Sequence, residues 1–169
     1  MRRTRWLSPP EERTWRAYRR MRARLDLQLA RDLANDAGLS EPDYDVLSGV
    51  SEAEGQRLRL KELADSMLWS QSRLSHHVAR MEQRGVVLRE ECASDGRGAV
   101  VALTAQGWRT IQAAAPAHVE SVRRHLIDLL TPEEIETLGR IAEKVVAHLN
   151  EPNSPSDRAE TSRGSASRR

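Results

Sequence analysis

Residues 60–103 read LKELADSMLWSQSRLSHHVARMEQRGVVLREECASDGRGAVVAL, and this stretch decides the fold. Leu60, Leu63 and Ala64 recur at helical spacing, which predicts a short helix over residues 61–67 with one buried face. Trp69-Ser70 breaks the pattern, and Ser70 suits an N-cap because its hydroxyl accepts from a free amide of the next turn. A second helix is predicted over residues 71–84, ending at Gly85, the residue best able to take a left-handed C′ conformation. On it Leu74, Val78 and Met81 share one narrow face. The opposite face carries Ser72, Ser75, His76, Ala79 and Gln83, flanked by Arg73 and Arg80, and the helix has one acidic residue, Glu82. Short donors, a small residue and arginines suit a helix entering a major groove about 12 Å wide. A solvated helix in a small bundle is the alternative.

Two β-branched-rich runs follow, over residues 86–92 and 99–103, separated by the turn Ala93-Ser94-Asp95-Gly96-Arg97-Gly98. They predict a two-stranded wing directly behind the second helix. Arg97, between two glycines, can extend from the wing tip into a minor groove or onto phosphate. Asp95 is placed to hold that guanidinium through a charge-assisted bond. Taken alone, the tip also reads as a solvated hairpin with one charge of each sign.

The run LKELADSMLWSQSRLSHHVARMEQRGVV, the tip SDGRG and the following LTAQG resemble the MarR family of bacterial transcriptional regulators, most of all a branch with W-S-x-S-R-x-S-H at the recognition helix. The likeness extends more weakly over residues 10–149. It implies a homodimer in which the terminal helices of both chains pack together and each winged domain reads a half-site.

Composition bounds the remainder. With 169 residues, 38% of them hydrophobic, the chain predicts one domain with a modest core that a partner chain can complete. No apolar run approaches the ~20 residues that span a bilayer, and none follows the N-terminal arginines as a signal peptide would, so the expected location is cytoplasmic with no membrane partner. One cysteine, Cys92, excludes an intrachain disulfide. The net charge of +2 is uneven: residues 1–35 carry ten Arg against four acids, and residues 36–65 carry eight acids against three bases. Arginine outnumbers lysine 25 to 2 throughout, so arginine abundance itself says nothing about nucleic acid; position does.

In chain order, Ser8-Pro9-Pro10-Glu11-Glu12 starts a helix with a cap, first-turn prolines and acids at the positive end of the dipole. Trp15, Tyr18, Leu25, Leu29 and Leu33 mark one face of it, and Gly38 stops it after ~28 residues, or about 42 Å. Ser40 and Asp43 form a capping box for a helix over residues 41–53 with Tyr44, Leu47 and Val50 on one side. Residues 58–60 are expected to add a short strand to the wing. From Thr104 a stripe of Trp108, Ile111, Ala115, Val119, Val122, Leu126 and Leu129 predicts a long helix that Pro116 kinks or divides. Thr131-Pro132-Glu133-Glu134 restarts a last helix carrying Ile135, Leu138, Ala142, Val145 and Leu149. Beyond it the Pro/Ser/Arg/Thr composition predicts a disordered tail over residues 150–169. The fold class is therefore mainly α with a small β wing. A winged helix-turn-helix domain spans residues 8–149, with its DNA-binding core at 57–104 and dimerisation helices at 8–38 and 105–149.

No Gly-rich phosphate loop, G-x-S-x-G, H-E-x-x-H or C-x-x-C is present, and no catalytic residues or cofactor are expected. The histidines at 76, 77, 118, 125 and 148 include no i, i+3 or i+4 pair, so no metal site is expected. Cys92 reads as a packing residue of a wing strand; the peroxide-sensing branch of the family uses a cysteine in the first long helix, which this chain lacks there. The resemblance further implies an aromatic or phenolic effector in a cleft between dimer helices and winged domain. Trp15, Tyr18, Arg19, Arg22, Tyr44 and His118 are the candidates for lining it, although Trp15 and Tyr44 at helical spacing also read as core.

The expectation is a homodimeric repressor on a pseudo-palindromic double-stranded DNA operator, released by that ligand. Ser72, Arg73, Ser75 and His76 are assigned to base edges and nearby phosphates, Ser70 and Arg80 to phosphate, and Arg97 to the minor groove. A winged-helix protein-interaction module that no longer reads DNA is the alternative.

Overall fold

Local capping signals set the helix boundaries. The computed structural model describes residues 4–91 and 98–151. The order is α1 (Pro9–Ala37), α2 (Glu41–Glu52), β1 (Arg57–Arg59), α3 (Leu60–Ser66), α4 (Gln71–Gln83), β2 (Val87–Glu91), β3 (Ala99–Leu103), α5 (Ala105–His125) and α6 (Pro132–Asn150). Single 3-10 turns occur at Glu54–Gln56 and Ile127–Leu129. Ser40 and Thr131 each accept from the amide three residues on, and Asp43 and Glu134 return the bond, as the capping boxes require. Ser8 works in the other sense: its amide and hydroxyl both donate to Glu11 Oε2, at 2.7 and 2.8 Å. Gly38 and Gly85 take the left-handed conformation at φ 64° and 73°, ending α1 and α4 as expected.

The chain forms two units, one ending at His125 and the other beginning at Leu126. In the first, β1, β3 and β2 form an antiparallel sheet in that order, with Leu58 opposite Val101 and Val87 opposite Leu103. One core joins Leu33 of α1, Val46, Leu47 and Val50 of α2, Leu63 of α3, Leu74, Val78 and Met81 of α4, Val101 of β3 and Ile111 of α5. The helix-turn-helix and the wing thus share their apolar contacts with the long helices, which makes them one cooperative body.

The start of α5 is fixed to the end of α4. Thr104 accepts from the Gly107 amide at 3.0 Å and donates to the Gly85 carbonyl at 2.6 Å. A Cβ at Gly107 would lie 1.9 Å from the Val86 carbonyl oxygen, so only glycine permits this approach. Farther along, Asp32 of α1 accepts from Ser121 at 2.7 Å and lies 3.0 Å from His125 Nε2, both on α5.

The structure refines several expectations. Of the two outcomes expected at Pro116, division does not occur, since α5 runs unbroken from Ala105 to His125; Pro116 and Gln112, whose carbonyl loses its partner, are both exposed. The buried stripe of α5 is Gly107, Ile111, Ala114 and Ser121; Val119 is exposed, and Leu126 and Leu129 fall beyond the helix. Within this chain the stripe of α1, a helix expected to pack against a second copy, is buried only at its far end: Leu33 is 3% exposed, whereas Trp15 and Tyr18 are about half exposed. In the second unit α6 has no buried residue, and Ile141, Val145, Val146 and Leu149 are all exposed. Asn150, where the tail was expected to begin, still closes α6; residues 152–169, the remainder of the expected tail, lie outside the described residues.

Candidate nucleic-acid interface

The approach to α4 is a tight turn. Leu68 takes a left-handed φ of 55°, and the Trp69 amide bonds back to the Ala64 carbonyl at 2.9 Å. Ser70 then caps α4, accepting from the Arg73 amide at 3.2 Å. Leu74, Val78 and Met81 are fully buried, so the rotation of the helix about its axis is fixed by packing. That rotation leaves Gln71, Ser72, Arg73, His76, Arg80 and Gln83 exposed, with Ser75 and Ala79 half-buried between them. The first turn holds no acid. Glu82, the one acid of the helix, is turned to the wing, where it accepts from the Arg89 amide at 3.0 Å. The outward face therefore presents hydroxyls, an imidazole and guanidinium groups, the donor set that reads base edges and phosphate.

Beneath this face lies a polar network that sequence reasoning missed. The Arg73 guanidinium sits 3.6 Å from the centroid of the Trp69 ring. Trp69 meets His77 edge-on, with centroids 5.6 Å apart. His77 is buried, and its Nδ1 lies 3.0 Å from Arg80 Nη2. Its Nε2 lies 3.0 Å from Asp43 Oδ1, but off the N–H axis, so the contact is electrostatic rather than an aligned hydrogen bond. Asp43 receives both forks of Arg84, at 2.9 and 2.5 Å. Burial pushes the Asp43 carboxyl up, but the bonds from Arg84 and Ser40 and the neighbouring positive charge outweigh it and hold the group at about 2. Burial lowers His77, with Arg80 and Arg84 acting in the same direction against Asp43. Asp43, His77, Arg80 and Arg84, with Ser40 and Gln83, line a cleft of about 490 Å³.

One signal pointed to His77. It stands three residues after Leu74 and one before Val78, inside the apolar stripe. Arg84 gave no comparable sign, being 41 residues from Asp43. Of the wing, β2 and β3 pair as expected, but Cys92, Asp95 and Arg97 lie outside the described residues.

The candidate effector residues form two groups. Trp15 and Tyr18 stack with centroids 5.9 Å apart, the Arg19 guanidinium is 6.0 Å from the Trp15 ring, and Arg22 is exposed on the same helix. Separately, Tyr44 of α2 and His118 of α5 touch, with centroids 4.3 Å apart. Burial raises the Tyr44 hydroxyl and the neighbouring Glu41 and Asp45 carboxyls; nearby acids add to this at Tyr44 and Glu41, and His118 opposes it at Glu41 and Asp45. His118 Nδ1 is buried and has no hydrogen-bond partner among the described residues. Among the described residues, no group of three or more His, Cys, Asp or Glu side chains is placed to hold a metal, and no helix is long and apolar enough to cross a membrane.

Comparison with known proteins places this architecture. A family model described as MarR family matches residues 37–98. The transcriptional regulator HosA of Escherichia coli is 31% identical over 132 residues, covering 78% of this chain and 95% of HosA. AbsC, a MarR family transcriptional regulator from Streptomyces coelicolor, is 42% identical, with a TM-score of 0.85 over 88% of this chain and 100% of AbsC. Sco3205, a MarR family regulator from the same organism solved in complex with DNA, is 39% identical, with a TM-score of 0.86 over 90% of this chain and 96% of Sco3205. The chain belongs to the MarR family of transcriptional regulators.

Proposed function

We propose that the protein is a cytoplasmic, homodimeric, sequence-specific DNA-binding repressor without enzymatic activity. The observation that carries this is the outward face of α4: Ser72, Arg73, Ser75, His76 and Arg80 project together, and the only acid of the helix is occupied elsewhere. Sco3205, at 39% identity, was solved with DNA. Ser72, Arg73, Ser75 and His76 contact base edges and adjacent phosphates, Arg80 contacts phosphate, and the Ser70 hydroxyl, already accepting from Arg73, retains its own proton for a phosphate oxygen. Arg97 reaches the minor groove from the wing tip, supported by Asp95. Two copies joined through α1 and α6 present two such helices to half-sites about 10–11 base pairs apart.

Selection of binding sites from random duplexes tests this reading. A pseudo-palindrome should be enriched, and Ser75→Ala or His76→Ala should change preference at one position of each half-site. Arg97→Ala should weaken binding to all selected sites with little effect on melting. No enrichment over the starting pool would sink the proposal.

The effector reading extends the same proposal: a small aromatic ligand shifts the population away from the DNA-binding arrangement. Tyr44, His118 with its unpaired Nδ1, and the acids beside them favour a neutral phenol over a carboxylate at that end. Trp15, Tyr18, Arg19 and Arg22 offer stacking faces and guanidinium groups at the other. A panel of phenols and benzoates tests this by release of bound operator; release by benzoates alone would contradict the assignment at Tyr44.

A further inference from the structure

Arg73 and Arg80 stand seven residues apart on α4 and flank the face that reads DNA. Neither guanidinium is left to the rotamer freedom of a long surface side chain. The Arg73 guanidinium carbon lies over the Trp69 ring, 3.6 Å from its centroid, and Arg80 bonds His77 Nδ1 at 3.0 Å. Trp69 and His77 meet edge to face. Both pack into the protein, His77 as a buried residue and Trp69 against the core. An arginine only donates, so His77 Nδ1 must accept, and the ring's one proton is on Nε2, facing Asp43. Asp43 is in turn pinned by both forks of Arg84 and by the cap of α2.

We infer that Trp69 and His77 form one aromatic scaffold that positions Arg73 and Arg80 for DNA recognition, with Asp43 fixing the tautomer of His77. Neither ring touches DNA; each acts through its arginine. An arginine ordered beforehand loses less conformational freedom on binding, so the scaffold strengthens contacts it does not make. This role rests on the DNA-reading proposal above and adds two residues to it. The groups facing His77 are Asp43 from α2, Arg80 and Arg84 from the α4 segment, and the Trp69 edge. Protonating Nδ1 would set one donor against another and release Arg80.

The test is a pair of double-mutant cycles on the full chain with a selected operator and a scrambled duplex. His77→Leu should weaken operator binding roughly tenfold in the wild-type background and have almost no effect in the Arg80→Ala background. His77→Asn, whose amide oxygen stands near the position of Nδ1, should recover most of the loss. Trp69→Leu should behave in the same way against Arg73→Ala, with Trp69→Phe restoring binding. Equal losses in both backgrounds would make the rings merely structural and overturn the inference. Nitrogen-15 spectra of the wild-type imidazole keep the test independent of any variant's folding: a neutral His77 with its proton on Nδ1 would also overturn it. If the wild type does not distinguish operator from scrambled duplex, the DNA-reading proposal itself fails, and the positioning role fails with it.

Discussion

Two amphipathic helices in this chain meet opposite fates. α4, with 13 residues, buries Leu74, Val78 and Met81 completely and spends its other side on polar groups. α6, with 19 residues and a full apolar stripe, buries none of it, and Leu149 is 73% exposed. The near half of α1 resembles α6, with Trp15 and Tyr18 half exposed, while its far half is sealed into the core through Leu33. The same periodicity in sequence therefore marks two different obligations. Where the stripe is satisfied within the chain, the opposite face is fixed in space and can read a ligand. Where it is left open, about 25 cal/mol per Å² of apolar surface is gained only when something covers it, and a second copy is the occupant proposed above.

The sharpest way to break this contrast is to charge the open helix. Val145→Asp with Leu149→Asp should leave the melting of the winged domain nearly intact but weaken dimerisation about a thousandfold or more, read by sedimentation equilibrium. An unchanged association constant would mean that α6 is not the contact. The complementary change lies in the closed helix: Leu74→Ala should cost roughly 3 kcal/mol of folding stability through the cavity it leaves, visible as a lower denaturant midpoint. If Leu74→Ala affected only dimerisation, the division between the two helices would be wrong.

A subtler test concerns the network beneath α4. Asp43 falls from an ordinary 3.8 to about 2 in the folded chain, so its ionised form stabilises the fold by about 2 kcal/mol. A depressed carboxylate contributes fully above its unfolded value and is lost as pH falls through the folded one. His77 begins the loss earlier, because its neutral buried form is favoured from 6.5 downward to its lowered value. Stability should therefore decline from about pH 6.5 and steepen below 4, and Asp43→Asn should flatten the lower part of that curve. The smallest effect is at the cap. Ser70→Ala should cost about 1 kcal/mol and loosen the start of α4, detectable as faster amide exchange at Arg73.

How much of this was legible in the sequence follows the range of each interaction. Ser40 with Asp43, Thr131 with Glu134, and the glycines at 38 and 85 act within a few residues, and each marks its boundary without knowledge of the fold. The strand pairing was legible because β2 and β3 are adjacent in the chain; the short β1 strand was expected at 58–60 and lies at Arg57–Arg59, with Leu60 opening α3. Partners far apart were not legible. Asp32 meets Ser121 and His125 across 89 and 93 residues, and Asp43 meets Arg84 across 41. No local composition distinguishes those side chains from solvated ones. The apolar stripes were legible only as apolar: periodicity does not say what covers a face, and Val119 and Leu149 are exposed within this chain.

The most direct test of the central claim is fluorescence anisotropy of the wild-type chain on its selected operator, titrated across a salt series with excess scrambled duplex. The account predicts two chains per duplex, binding that resists the competitor, and an affinity that falls steeply and linearly on logarithmic axes as counterions are released. Binding to operator and scrambled duplex with the same affinity, or no dependence on salt, would contradict it.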